Sequence, residues 1–207
     1  MRDALKAAWC RLSASRATTR LGGRDETGAA VIEFALTLPA LMCIVLGSLT
    51  GGIAFNTKQD IGTAAREGAR YGATLPVATS PCPSASSGTD LDQWLKCVSD
   101  ITVNASAGSL ATGKSGRYVC VSYVYPNGLA NSNDVTKSRI VVDTGGSEYA
   151  STDTRDCFTI NGLPADGLPA TKRRVQVVTR RTATLEAMVF TTPLTLKGAS
   201  ATVFEAT

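Results

Sequence analysis

With 207 residues the chain has room for one ordinary domain and an anchor, but hardly for two domains. Charged residues make up 18% and aromatics 6%, and histidine is absent, which removes the commonest general base, the Ser-His-Asp and Cys-His arrangements and every His-based metal site. No Walker-type loop, HExxH, GxSxG or GxGxxG occurs, so the expectation is a non-enzymatic protein without a cofactor.

Residues 1–28 carry six basic side chains against three acidic ones, leaving the other residues close to neutral. Gly22 and Gly23 interrupt any helix in this leader. From Phe34 to Phe55 there are 22 residues without a charge, close to the roughly 20 that cross a bilayer as helix. Pro39 is tolerable there, because membrane helices accommodate a kink. The basic leader then lies on the cytoplasmic side, and everything beyond the run outside it. A cleaved secretory signal peptide would have an apolar core of about 7 to 15 residues, followed by a turn. This run is longer, and the sequence after it continues helical. Glu33 stands at the start of the apolar stretch, where a carboxylate in hydrocarbon is costly unless it has a partner.

The helix continues through "NTKQDIGTAAREGARYGATL", residues 56–75. Ala65, Ala69 and Ala73 recur every four residues, with Gly68 and Gly72 on the adjacent strip, and Gly47 and Gly51 repeat that spacing inside the apolar run. Small residues so spaced admit close approach of another helix, and the expected partners are helices of neighbouring subunits. Residues 29–75 form one helix, with about 34–55 membrane-spanning, followed by an extracytoplasmic head over 76–207. "SPCPSASSG" reads as loop. "DLDQWLKCVSDI" reads as a short helix with Leu91, Trp94, Leu95 and Val98 on one face. "NASAGSLATGKSG" reads as a flexible connector.

Strand signals then take over: "RYVCVSYVY" (117–125), "SRIVVDT" (138–144), a long or bent strand over 173–190, and "GASATVFEA" (198–206). The fold class is α+β: a long N-terminal helix running into a small antiparallel sheet of three to five strands, packed on one face by the outer half of that helix. The basic groups at 172–174 and 180–181 read as a solvated strand face rather than a nucleic-acid contact.

Of the six cysteines, Cys10 precedes the apolar run and Cys43 lies within it. Cys82, Cys97, Cys120 and Cys157 fall in the head, where an oxidising compartment gives two disulfides with three possible connectivities. Loop closure favours Cys82 with Cys97 and Cys120 with Cys157. Zinc is disfavoured because no CxxC spacing is present.

"RDETG-AAVI-EF", with Gly28 and Ala29 followed by Glu33 and Phe34, resembles the class III signal peptide of the type IV pilin superfamily, most closely its tight adherence (Tad/Flp) subgroup. With the Pro of "TLPAL", the glycine pair and "AAREGARYGA", residues 24–74 are similar to the TadE-like family of minor pilins or pseudopilins. The C-terminal "PLTLKGASATVFEA" weakly resembles that family's last strand. The resemblance implies cleavage after Gly28 by a prepilin peptidase, retention of the apolar helix in the inner membrane, and a pilin-like fold. Its implied partners are the major pilin, other minor pilins and an inner-membrane assembly platform. It also supplies a partner for the carboxylate. Cleavage frees the amino group of Ala29, which is mostly cationic at neutral pH, and Glu33 lies four residues, about 6 Å, further along the helix. A neighbouring subunit shifted by that distance presents its amine to this carboxylate. The alternatives are a permanently anchored binding or sensing domain with an uncleaved signal anchor, and for Glu33 a residue reaching to headgroups.

Overall fold

The computed structural model describes residues 26–75, 77, 90–114, 116–126, 136–144, 147–187 and 190–204. Nearly all of the leader, and Cys82, lie outside the described residues. The element order is α1 (Glu26–Thr74), α2 (Asp90–Asn104), β1 (Tyr118–Val124), β2 (Lys137–Thr144), β3 (Ser147–Asp153), α3 (Cys157–Ile160), β4 (Arg174–Ala187) and β5 (Phe190–Val203). This is an α+β protein: a long N-terminal apolar helix followed by a five-stranded antiparallel sheet with two further helices. The chain divides into two compact units at Met42 and Cys43. In the first, residues 28–42 are helical and exposed throughout.

In the second unit α1 changes character. Beyond Phe55 its buried positions are Ile61, Ala64, Ala65, Gly68, Ala69, Gly72 and Ala73, a stripe at helical period with Arg66, Glu67 and Arg70 on the opposite side. This stripe joins α2 and one face of the sheet in a single core. α2 contributes Trp94, Leu95 and Val98, all fully buried, as its spacing predicts. The Trp94 indole Nε1 donates to the Leu75 carbonyl at 3.3 Å, satisfying an acceptor just past the end of α1. After α2 the chain does not run free, contrary to the connector expected there. Ser106 Oγ accepts from the Leu110 N–H at 2.9 Å. Ser109 Oγ donates to Asp60 Oδ2 at 3.0 Å, and Leu110 is fully buried. Hydroxyl-rich composition reads as loop, but here the hydroxyls satisfy buried backbone and tie the turn to α1.

The strand order is β3-β2-β1-β4-β5, with all neighbours antiparallel. β1 is central. Val119, Val121 and Tyr123 enter the core on α1 and α2, while Cys120 faces a second cluster with Cys157, Val178 and the partly buried Phe158, Ile160 and Leu163. The sheet is therefore covered on both faces, which explains why β1 is buried almost continuously. α3 lies on the second face, held by the Cys120–Cys157 disulfide across 37 residues.

Three strand boundaries differ from expectation. β3, "SEYASTD", is an exposed edge strand whose polar composition carries little strand signal. β4 ends at Ala187 and β5 begins at Phe190 rather than 198, the extra strand including Pro193, which an edge strand tolerates. The basic groups are not a wholly solvated face. Arg174 Nε lies 2.6 Å from the buried Asp166 carboxylate, and the Arg180 guanidinium stacks 4.1 Å over the Tyr118 ring. The covered second face leaves these residues half-buried, so they find partners within the head.

Candidate membrane anchor and processing site

The apolar part of α1 carries large hydrophobic side chains all round the helix: Phe34 is 61% exposed, Leu36 74%, Ile44 66% and Ile53 70%. A helix apolar on every side is stable in water only when something covers it. By length and composition this helix can cross a membrane. Its hydroxyls suit that setting. Ser48, Thr50 and Thr57 donate to the carbonyls of Ile44, Leu46 and Ile53, four residues back, at 2.7, 2.8 and 3.0 Å. No polar hydrogen of these side chains then needs water.

The four residues expected at a processing site lie together near the N-terminal end of the described helix. Gly28, Ala29, Glu33 and Phe34 are all exposed, and a Cβ on Gly28 would meet nothing within 4 Å. The Gly28–Ala29 peptide is helical and lies within α1 as described from Glu26. Glu33 stands one turn beyond Ala29 in unbroken helix, with Pro39 further on. Among the described residues its carboxylate makes no hydrogen bond or ion pair.

The small residues separate into two groups. Gly47 and Gly51 face open space, with nothing within 4 Å of an added Cβ. The strip of Ala65, Gly68, Ala69, Gly72 and Ala73 does admit close approach, but by this chain's own head. A Cβ on Gly68 would overlap the Thr102 hydroxyl, and one on Gly72 would lie 3.1–3.3 Å from Val175, Val98 and Trp94. The expectation that neighbouring subunits use this strip is therefore corrected: Ala65 and Ala69 are fully buried and inaccessible to another chain. The spacing signals close packing without saying whose helix arrives.

Cys120 and Cys157 form the expected disulfide, and Cys97 is also disulfide-bonded. Cys82, the partner expected for Cys97, lies outside the described residues. Cys43 is free and exposed on the apolar helix.

Among the described residues, then, the chain has an α+β head and one long apolar helix that is a candidate membrane span. Over residues 28–70, about a fifth of the chain, the sequence matches the model of the family described as TadE-like protein. The match takes in the Gly28–Glu33 region, the apolar run and the strip down to Arg70, and stops short of the sheet. No curated protein and no solved structure matches the chain.

Proposed function

We propose that this protein is a non-enzymatic minor pilin or pseudopilin of a Tad-type pilus, processed after Gly28 by a prepilin peptidase and helping to initiate, cap or anchor the fibre. The observation that carries the reading is a lone carboxylate, Glu33, five residues after Gly28 on a helix whose large apolar side chains are mostly exposed from Val31 to Phe55. Processing leaves the amine of Ala29 as the complementary charge. Insertion beside another pilin helix, offset by one turn, pairs the two and removes the several kcal/mol penalty of an unpartnered buried charge. Gly47 and Gly51 are open for the close helix contact that such a bundle needs. The head then stands outside the inner membrane, where disulfides persist.

The test is the mature N-terminus. Mass spectrometry of membrane-extracted protein is expected to find Ala29 first, and Gly28→Val to leave the leader attached. Open space around Gly28 means that the valine does not disturb the chain's own packing, so lost processing reports on peptidase recognition. An intact Met1 in the parent protein refutes the reading and favours a permanent signal anchor.

A further inference from the structure

A groove of about 500 Å³ runs along α1 just beyond its apolar part. One wall is the helix face that carries Phe55, Lys58, Gln59, Thr63 and Arg66, whose spacing puts them on one side of the helix. The other wall is β5 at Lys197 and Ala199. The walls meet at two glycines. A Cβ on Gly198 would lie 2.8 Å from the Ile61 carbonyl oxygen and 3.0 Å from Gly62 Cα, so strand and helix backbones approach as closely as glycine allows. The flanking side chains then rise on either side of that contact.

Three basic side chains line this groove and no acidic one does. Among the described residues none of Lys58, Arg66 and Lys197 makes an ion pair or a side-chain hydrogen bond. Elsewhere in the head basic groups are matched: Arg117 with Glu148, Lys137 with Asp92, Arg155 with Asp153 and Arg174 with Asp166. The carboxylates of this part of α1 are turned aside. Asp60 accepts from Ser109 in the head, and Glu67, next to Arg66, lies about 100° further round the helix. The groove is therefore an unneutralised cationic site, to which Gln59 and Thr63 add an amide and a hydroxyl. That donor set suits an anion with several oxygens, such as a phosphate.

We propose that the groove between α1 and β5 binds the phosphate of an anionic phospholipid in the leaflet from which the head emerges, with Lys58, Lys197 and Arg66 as its cationic ligands. Its height favours a lipid over a soluble phosphate. Phe55 is the last residue of the apolar run, and Lys58 stands about 4.5 Å beyond it along the helix. That distance falls within the polar layer, roughly 5–8 Å thick, on each side of the hydrocarbon. Gly62, against which Gly198 packs, stands about 10 Å beyond Phe55, so Lys197 reaches that layer from above. Helical side chains lean towards the helix N-terminus, so Arg66 leans towards the bilayer from the top of the groove. Each basic group near an anionic surface raises affinity about fivefold, and the three together about a hundredfold. The site rests on the reading of α1 as a membrane span.

The test uses the full chain in nanodiscs of phosphatidylcholine alone or in equimolar mixture with phosphatidylglycerol, neither of which carries a primary amine. A water-soluble acetylating reagent labels lysines, and the rate at each is read by peptide mass spectrometry. Exposed Lys172, just ahead of β4 and outside the groove, is the internal reference. Phosphatidylglycerol is expected to slow labelling of both Lys58 and Lys197 several-fold relative to Lys172. Arg66→Gln should weaken the site about fivefold and remove most of that protection. Arg70→Gln, the same charge change one turn further on and outside the groove, should retain it. Equal rates with and without phosphatidylglycerol, with Cys43 shielded from a water-soluble maleimide, overturn this inference and leave the anchor standing. Labelling of Cys43 overturns both. Protection of Lys58 alone, or equal loss in Arg66→Gln and Arg70→Gln, also overturns the inference, because diffuse surface charge then explains the effect. Equal protection by millimolar inorganic phosphate in pure phosphatidylcholine overturns the assignment to a lipid.

Discussion

Gly68→Ala sets two known effects against each other at one position. In an exposed helix interior the substitution stabilises by about 1 kcal/mol, from backbone entropy lost by glycine. At Gly68 the new methyl overlaps the Thr102 hydroxyl and lies 3.1 Å from Thr102 Cβ, on a helix that is itself buried against the sheet. The hydroxyl cannot simply rotate away at no cost, because it donates to the Val98 carbonyl at 2.7 Å inside a buried contact. α2 must move outward, and overpacking of this kind costs about 1–3 kcal/mol. The net expectation is a loss of up to about 2 kcal/mol, opposite in sign to the helix propensity. Gly51→Ala, with nothing near its Cβ, should leave head stability unchanged. Trp94 is fully buried at this contact, so its fluorescence during urea unfolding of the detergent-solubilised protein, with Trp9→Phe, follows the event directly. Adding Thr102→Ala to Gly68→Ala should recover most of the loss, since it removes the nearest atom. If Gly68→Ala is as stable as the parent or more so, the α1–α2 contact is not as close as described, and the strip is again available to a neighbouring subunit.

Glu33→Ala should permit cleavage but abolish incorporation beside other pilin helices. A disulfide crosslink between copies bearing Gly51→Cys, on the open face and with Cys43→Ser, reports it, and crosslinks equal to the parent's would refute the carboxylate–amine pairing. Position 69 cannot serve as that reporter because Ala69 is fully buried in the head. Replacing Cys120 and Cys157 by alanine should cost about 3–4 kcal/mol for a 37-residue separation, read as a lower denaturation midpoint, and free α3 from the sheet. Hydrogen bonds from Arg155 hold the Asp153 carboxyl down at about 2, from an ordinary value of 3.8. Its stabilising contribution is thus complete above the ordinary value and lost as pH falls through about 2. NMR titration should show the Asp153 midpoint rise towards the ordinary value in Arg155→Ala, and an unchanged midpoint would refute the assignment.

Much of the anchor was legible because its signals are local. An uncharged run long enough for a bilayer, a glycine five residues before a glutamate, and basic residues ahead of both need no knowledge of the rest of the chain. The burial of Trp94, Leu95 and Val98 follows from helical spacing, and the strand at Tyr118–Val124 from β-branched and aromatic alternation. Less legible was β3, whose serines, glutamate and aspartate carry almost no strand propensity. Its formation is decided by pairing with β2. The start of β5 was obscured by Pro193, harmless there only because the strand lies at the edge of the sheet.

By itself the sequence determined which faces are apolar, where small residues permit close approach and where a charge interrupts an apolar run, because periodicity and composition are properties of each element alone. Only the tertiary structure decided what meets those faces. It gave the strip at Ala65–Ala73 to α2 and the sheet instead of to a neighbouring chain. It also covered the far side of β1 with α3 through Cys157, and brought β4 against α1 at Thr179 and Ile61. The spacing of small or apolar residues records that a surface is to be covered. The cover itself depends on contacts between residues more than a hundred apart, such as Thr179 and Ile61, which no local pattern encodes.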